Sequence, residues 1–252
     1  MDHAADPSHP RYRSLLMRHR LEVAAKKGML ADSAMIAHGR GEAFDYLLGE
    51  TTIPSADVAA QIALQALVQA EHPVLSVNGN VVALAGDEML KLADGIGCPL
   101  EVNIFYRTPE RMDALLTDLN ERKERLGLDV DILGANPDAT IPGLKGPRAK
   151  CESKGILQAD AILVPLEDGD RCEALVAMGK TVIVIDLNPL SRSSQRGSIT
   201  IVDELSRCLT NILTMETETL PSLDSYDHSQ TLQDALNAIV DGMKNKFPKA
   251  KE

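Results

Sequence analysis

The 252-residue chain has no tryptophan, and aromatic residues make up only 3% of it. Single-stranded nucleic acid is bound largely by stacking its bases on aromatic side chains, so this composition argues against such a role. Positive charge is also scarce: the chain has 26 Lys and Arg residues and 37 Asp and Glu residues, which gives a formal net charge of −11. Phosphate backbones are bound through basic surfaces, and we therefore expect no nucleic-acid partner.

Long hydrophobic runs are absent, and cysteines are few. No stretch approaches the roughly 20 apolar residues that a membrane helix needs, and the polar first ten residues lack the apolar core of a signal peptide. We therefore expect no membrane association and a cytoplasmic location. The cysteines are widely spaced and form no CxxC pair, which favours buried free thiols over disulfides or a zinc site: Cys98, Cys151, Cys172 and Cys208.

Short aliphatic runs recur along the chain and predict a parallel sheet. Five are strong and the sixth is weaker, at 74–77, 100–105, 130–133, 161–164, 182–185 and 199–202. Segments of helix length precede the first run, at 55–70, and separate the second from the third, at 109–126. Thr108 and Pro109 provide an N-cap and a first-turn proline for the later segment. This alternation predicts an α/β fold with a Rossmann-like parallel sheet and flanking helices.

Helical patterns flank the sheet region on both sides. An N-terminal helix that Gly28 ends is predicted from one stripe of side chains, Tyr12, Leu16, His19 and Val23. A C-terminal amphipathic helix that packs within the chain or on a second subunit is predicted from Leu232, Leu236, Ile239, Val240, Met243 and Phe247. We expect one domain over 1–252, with an N-terminal helical element at 10–50, a sheet core at 72–205 and this helix at 230–247.

The segment 134–155 interrupts the alternation of strands and helices. Prolines and glycines disfavour regular structure there, and Lys145, Arg148, Lys150 and Lys154 outnumber Asp138 and Glu152. Loops of this length inside a compact domain are usually functional or disordered. The segment is therefore either an anion-binding element or a solvated surface loop.

Polar residues follow several predicted strands, at the edge where open α/β sheets bind ligands. Asn78-Gly79-Asn80 leaves amides free at the start of a helix, an arrangement that suits an anion. Asp168 and Asp170, in the acidic turn 167–171, are candidate ligands for Mg²⁺, with a simple capped turn as the alternative. The segment 186–193 offers a carboxylate for a ribose and Arg192 or Ser193 for phosphate.

Standard nucleotide fingerprints are missing. Gly179-Lys180-Thr181 precedes a predicted strand rather than a helix, and no strand precedes Gly39-Arg40-Gly41. That second motif either brings Arg40 to a ligand or marks a turn between helices, with Arg40 paired to Glu42 or Asp45. Arg18 likewise either pairs with Glu22 or reaches a phosphate. The residues alone indicate an α/β enzyme acting on a phosphorylated substrate.

Several multi-residue phrases, taken together and in order, resemble a known family. They are GRGEAFDYLLGE (39–50), SVNGN (76–80), GANPDATIPGL (134–144), VPLEDGDR (164–171), IDLNPLSR (185–192) and ITIVD (199–203). They are similar to the archaeal-type phosphopantothenate synthetases, also called 4-phosphopantoate–β-alanine ligases. The resemblance covers residues 10 to 245.

The resemblance implies an ATP-dependent homodimer that joins 4-phosphopantoate to β-alanine in coenzyme A biosynthesis, with Mg²⁺ and through an acyl-adenylate, releasing AMP and diphosphate. It implies ATP contacts from Arg18, Arg40, Asp186, Leu187, Asn188, Arg192, Ser193, Asp203 and Glu204. Loop position and charge add a hypothesis for substrate contacts, Asn78, Asn136, Arg148 and Lys150. Arg40, Arg148 and Lys150 would neutralise developing phosphate charge, and His38 is a candidate acceptor for the amine proton.

Three other readings remain open from the sequence. A nucleotide-sensing module would bind ATP at the same strand ends without turnover. A CTP-dependent phosphopantothenate–cysteine ligase would share the Rossmann-like plan but not accept β-alanine. A nicotinamide-dependent oxidoreductase is disfavoured because the glycine fingerprint is missing.

Overall fold

A computed structural model describes residues 6–246 of the chain and shows a six-stranded parallel sheet flanked by helices. The main-sheet strands are β1 (Pro73–Val77), β2 (Leu100–Val102), β3 (Ile132–Leu133), β6 (Ala161–Leu163), β7 (Thr181–Ile185) and β8 (Ile199–Ile201). Their order is β3-β2-β1-β6-β7-β8, and Leu75 at the centre of β1 pairs with Leu100 on one side and Leu163 on the other. The predicted fold class is confirmed.

Helices cover the sheet and extend N-terminal to it. Within residues 6–246 they are α1 (Tyr12–Lys26), α2 (Ala34–Leu48), α3 (Pro54–Gln69), α4 (Gly79–Ile96), α5 (Pro109–Leu126), α6 (Gly169–Ala177), α7 (Arg192–Arg196), α8 (Leu205–Ile212) and α9 (His228–Lys246). The α5 bounds match the prediction, and the Thr108 hydroxyl accepts a hydrogen bond from the amide of Arg111. None of these helices is both long enough and apolar enough to cross a membrane.

Two hydrophobic clusters lie on opposite faces of the sheet. Successive strand side chains point to opposite faces, so Ile183 and Ile185 join one cluster, whereas Val182 and Val184 join the other. The strands are therefore buried on both faces, which explains their continuous rather than alternating apolar sequence. The four cysteines are free thiols and are buried in these clusters.

The outer helices bury faces that overlap only in part with those predicted. In α1 the buried residues are Met17, Leu21 and Ala24, whereas Val23 is exposed, because the face that packs on the core is shifted from the predicted stripe. In α9 the buried apolar residues are Ala235 and Ile239, whereas Val240 and Met243 are exposed. Phe247 lies outside the described residues.

The two glycines around Arg40 do not form a turn. Helix α2 runs without interruption from Ala34 to Leu48, so the alternative that made Gly39-Arg40-Gly41 a turn between helices is wrong. The surrounding residues favour a helix strongly enough to offset the cost of about 1 kcal/mol per glycine. A Cβ on Gly41 would lie 3.7 Å from Leu187 Cδ1, an ordinary van der Waals distance, so α2 packs close to the β7 end without requiring glycine at this position.

The segment 134–155 is ordered by a buried carboxylate. It contains a short antiparallel pair, β4 (Ala139–Thr140) and β5 (Lys150–Cys151), where no regular structure was predicted. Glu101, in the middle of β2, accepts hydrogen bonds from the amides of Glu152 (2.9 Å) and Ile156 (2.7 Å). Burial raises the pKa of Glu101. A side chain on Gly155 would collide with this carboxylate, so only glycine fits there.

Candidate active site

A cavity opens at the carboxyl ends of the strands, where the strand order reverses between β1 and β6. This reversal is the usual ligand site of open α/β sheets. Residues that follow β1, β2, β6, β7 and β8 line one side, among them Asn78, Gly79, Tyr106, Leu166, Leu187 and Glu204. Helices α1 and α2 supply the opposite wall through residues such as Arg13, Met17, His38 and Glu42.

The start of α4 forms the part of the cavity nearest β1. Asn78 caps the helix by accepting a hydrogen bond from the Val81 amide, and its side-chain amide donates to the Leu166 carbonyl at 3.0 Å. Leu166 adopts a left-handed backbone (φ 51°), a strained conformation for a leucine. A Cβ on Gly79 would lie 2.7 Å from the Met29 carbonyl oxygen, so glycine is required for this close approach.

Four arginines line the cavity, namely Arg13, Arg111, Arg148 and Arg207. Arg148 comes from the segment 134–155, is only 9% exposed, and forms ion pairs with Glu167 and, at 3.4 Å, Asp168. Burial, reinforced by the charge of nearby Arg171, lowers the pKa of Arg148 to about 10, which leaves it cationic at neutral pH. The basic loop therefore delivers one guanidinium to the cavity.

The far end of the cavity carries paired charges at the β8 end. Glu204 caps α8 through the Ser206 amide (2.8 Å) and the Arg207 amide (3.0 Å), and it pairs with Arg13 at 3.0 Å. Burial opposes ionisation of Glu204, but the hydrogen bonds from Ser206 and Arg207 outweigh it, so its pKa lies below the usual value. Arg207 bridges Asp45 (2.7 Å) and Asp203.

The turn after β7 places its carboxylate close to Arg40. Asp186 accepts hydrogen bonds from the Asn188 amide (2.9 Å) and the Ser191 hydroxyl (2.5 Å). Burial raises the pKa of Asp186, partly offset by those bonds and by the charge of Arg40. Exposed Arg40 pairs with neither of its expected partners.

Two other arginines take the carboxylates that were alternatives for Arg40. Glu42 pairs with Arg18 at 2.7 Å, and Asp45 pairs with Arg207. The alternative that paired Arg18 with Glu22 is wrong as well, because Arg18 reaches across from α1 to α2.

Arginines neutralise the acidic turn after β6. Glu167 pairs with Arg148 and Arg171, and Asp170 pairs with Arg192, which also bonds Glu173 at 2.5 Å. Asp168 caps α6.

A metal ion at this turn would have to displace the arginines. Across residues 6–246, no three His, Cys, Asp or Glu side chains converge in a way that could hold a metal ion. The turn as folded therefore does not fit Mg²⁺ held by the protein alone.

His38 lies in the cavity wall between Glu42 and Glu204. Its Nε2 atom is buried and has no hydrogen-bond partner in the described part of the chain. Burial lowers the pKa of His38, an effect that the two carboxylates only partly oppose. The imidazole is therefore neutral at neutral pH, with an unpartnered polar atom.

The structure brings some of the predicted residues into the cavity wall and leaves others at its margins. Asn78, Arg148, Leu187 and Glu204 line it. The cavity lining does not include Arg18, Arg40, Asn136, Lys150, Asp168, Asp170, Asp186, Asn188, Arg192, Ser193 or Asp203. Sequence reasoning missed Arg13, Arg111 and Arg207. Arg111 had a usable signal, because it lies in the first turn of a helix that follows a strand end.

The fold and the cavity define a Rossmann-like α/β protein with an arginine-lined cavity at the strand ends. The chain matches the model of the family described as phosphopantothenate/pantothenate synthetase over residues 55–242. The chain belongs to this family, whose membership implies small-molecule substrates and a nucleotide co-substrate.

Proteins named 4-phosphopantoate–beta-alanine ligase are similar over most of their length. The one from Thermococcus kodakarensis is 47% identical, covering 93% of this chain and 91% of the relative. The one from Methanosarcina mazei is 46% identical, covering 94% of each chain. The one from Methanospirillum hungatei is 46% identical over 84% of each.

Proposed function

We propose that this protein is a 4-phosphopantoate–β-alanine ligase of coenzyme A biosynthesis that uses ATP and releases AMP and diphosphate. The observation that carries the proposal is the group of four arginines that line the cavity at the strand-order reversal. Among them Arg148 is nine-tenths buried, and Arg111 pairs with no carboxylate in the described residues. A buried cation at this place suits an anionic substrate. The name of the 46–47% identical relatives supports the choice of substrates.

The reaction divides into two displacements. A carboxylate oxygen of 4-phosphopantoate attacks the α-phosphorus of ATP, and the bond to diphosphate breaks. The amine of β-alanine then attacks the carbonyl carbon of the acyl-adenylate, and AMP leaves with the former carboxylate oxygen. Neither step needs a covalent bond to the protein, so the protein acts by positioning and by stabilising negative charge.

The nucleotide lies along the ends of β7 and β8 in this proposal. Asp186 is the acceptor for the ribose hydroxyls, and Leu187, Asn188 and Asp203-Glu204 form the surrounding turns. Arg18, Arg40, Arg192 and Ser193 complete the proposed ATP contacts. Arg40 supports the arrangement, because it is close enough to Asp186 to influence its pKa and pairs with no carboxylate in the described residues.

The acyl substrate lies toward β1 and β2. Asn78 and Arg148 are its proposed contacts inside the cavity, with Asn136 and Lys150 on the loop outside it. Phe105 and Tyr106, whose ring centroids are 4.9 Å apart, add an apolar wall that suits the gem-dimethyl carbon of pantoate. Neutral His38 is the proposed acceptor of the amine proton.

We propose that Mg²⁺ enters with the phosphates of ATP. Asp168 and Asp170 remain its proposed protein contacts, and they would have to exchange arginine partners when it arrives. No step of the reaction is assigned to them.

A homodimer is also proposed. Exposed apolar side chains on α2 and on α9, which pack together, support it: Met35, Ile36, Leu47, Val240 and Met243. Ile36 is 69% exposed, which is unusual for an isoleucine on a monomer surface. Light scattering on the purified chain should give twice the monomer mass, and Ile36→Asp should lower it.

A product assay tests the proposed function. The chain is incubated with ATP, Mg²⁺, 4-phosphopantoate and β-alanine, and we expect phosphopantothenate, AMP and diphosphate in equal amounts. Omission of β-alanine is the control. ADP in place of AMP, ATP binding without product, or amide formation only with CTP and cysteine would overturn the proposal.

A further inference from the structure

Arg111 differs from the other three arginines of the cavity. Its Nη1 donates to the Tyr106 carbonyl at 2.5 Å and its Nη2 to the Met29 carbonyl at 3.2 Å. Neither acceptor carries a charge, and no carboxylate within residues 6–246 forms an ion pair with Arg111. By contrast Arg13, Arg148 and Arg207 each pair with a carboxylate, so the uncompensated positive charge of the cavity is at Arg111.

The position of Arg111 is fixed by its surroundings. The Thr108 cap holds its backbone, and the two carbonyls hold its guanidinium against the α1–α2 connection. Its Nη2 would lie 3.5 Å from a Cβ on Gly79, so the guanidinium is beside the first residue of α4. Its Nε is buried and has no acceptor in the described structure. A bound anion here would meet a guanidinium that is already oriented.

Arg148 lines the same cavity and lies close enough to Arg111 for their charges to interact. A phosphate monoester has three terminal oxygens and is therefore matched by two guanidinium groups better than a carboxylate is. Arg111 lies beside Gly79, which follows β1, and β6 separates β1 from β7 in the sheet. The proposed ATP contacts, where the substrate carboxylate would react, are at the ends of β7 and β8.

We propose that Arg111 binds the phosphate group of the acyl substrate and thereby makes the enzyme select the phosphorylated acid over the unphosphorylated one. This assignment rests on the proposed function. It predicts that Arg111 raises kcat/KM only for a substrate that carries the phosphate, and that this gain does not depend on the substrate's carboxylate or on ATP.

The test compares two substrates in three variants. Each variant is assayed with 4-phosphopantoate and with pantoate. The two test variants are Arg111→Ala and Arg111→Lys. The control is Arg125→Ala, because Arg125 lies on the same helix but pairs with Asp87. Arg111→Ala should lower kcat/KM for 4-phosphopantoate by about 10- to 100-fold, as expected for loss of a charged hydrogen-bond donor, and leave that for pantoate within about twofold. Arg111→Lys should recover part of the loss, and Arg125→Ala should behave as wild type.

Isothermal titration calorimetry measures the affinity of the wild type and of Arg111→Lys for each acid. This measurement requires neither turnover nor the alanine variant. Weaker binding of 4-phosphopantoate alone is expected. The assignment would be overturned if the affinity for both acids fell equally, or if only the KM for ATP rose. If wild type forms no amide from either acid, the proposed function fails, whereas an active wild type with an unchanged preference in Arg111→Ala refutes only the role of Arg111.

Discussion

The side-chain amide of Asn103 holds the backbone on which Arg148 is carried. Its Nδ2 donates to the Arg148 carbonyl at 3.2 Å and to the Lys150 carbonyl at 3.0 Å, and the residue is only 1% exposed. Asn103 follows β2 directly, so its hydrogen bonds join the sheet to the segment 134–155 at Arg148, the residue of that segment that lines the cavity. Arg148 is therefore placed by a strand end rather than by the loop's own sequence.

Replacing Asn103 with Ala should weaken both folding and substrate binding. The buried Arg148 carbonyl and the partly buried Lys150 carbonyl would lose their donor. Leaving a buried group unsatisfied costs about 1 to 3 kcal/mol of unfolding free energy, so we expect a loss of that order. Urea unfolding measures this loss, and steady-state kinetics should show a higher KM for 4-phosphopantoate. Asn120→Ala, which removes an amide bonded within exposed α5, is the control. An unchanged KM in a folded Asn103→Ala variant would contradict this positioning role.

Arg148→Ala should discriminate between the two anionic substrates. If Arg148 contacts the acyl substrate, its loss should raise the KM for 4-phosphopantoate by about 10- to 100-fold and change that for ATP much less. Lys145→Ala, an exposed cation of the same loop, is the matched control. Equal increases for both substrates would argue against the assignment.

His38 should set the acidic limb of the pH–rate profile. Burial lowers its pKa below the usual histidine value of about 6.5. A proton acceptor must be neutral, so the rate should fall only as the pH drops below that value, through the pKa of His38. His38→Gln should remove this limb and slow the reaction, whereas His72→Gln, far from the cavity, should retain it. A limb that survives in His38→Gln would assign the titration to another group.

Asp170 tests the proposed metal contact. If it approaches Mg²⁺ when ATP binds, Asp170→Asn should raise the Mg²⁺ concentration needed for half-maximal rate. Glu173→Gln, which alters the other carboxylate on Arg192, separates this effect from disruption of the ion pair. Equal Mg²⁺ dependence in both variants and wild type would leave Asp170 as a partner of Arg192 alone.

The sheet was predictable because its strands are buried on both faces and carry continuous aliphatic sequence. The strand ends followed from the parallel topology, and Asn78 and Leu187, which follow β1 and β7, line the cavity at that edge. The faces of α1 and α9 were not predictable from their own residues, since the buried side depends on the helices that pack against them. In α1 this shifted the core face from Val23 to Leu21 and Ala24.

Pairings across the chain escaped sequence reasoning for the same reason. Arg18 has an acceptable partner four residues away in Glu22, yet it pairs with Glu42 from another helix. Arg207 lies on α8, and nothing in the sequence of that helix indicates that it reaches Asp45 on α2. Only the convergence of α1, α2, α5 and α8 on one strand edge shows that Arg207 shares a cavity with other arginines.

Transfer of oxygen tests the central claim most directly. 4-Phosphopantoate labelled with ¹⁸O in both carboxylate oxygens is incubated with the protein, ATP and β-alanine. Mass spectrometry then measures the ¹⁸O content of each product. Attack of the carboxylate on the α-phosphorus predicts one ¹⁸O in AMP and one in the new amide. AMP without label, or label appearing in a phosphate released together with ADP, would contradict the account.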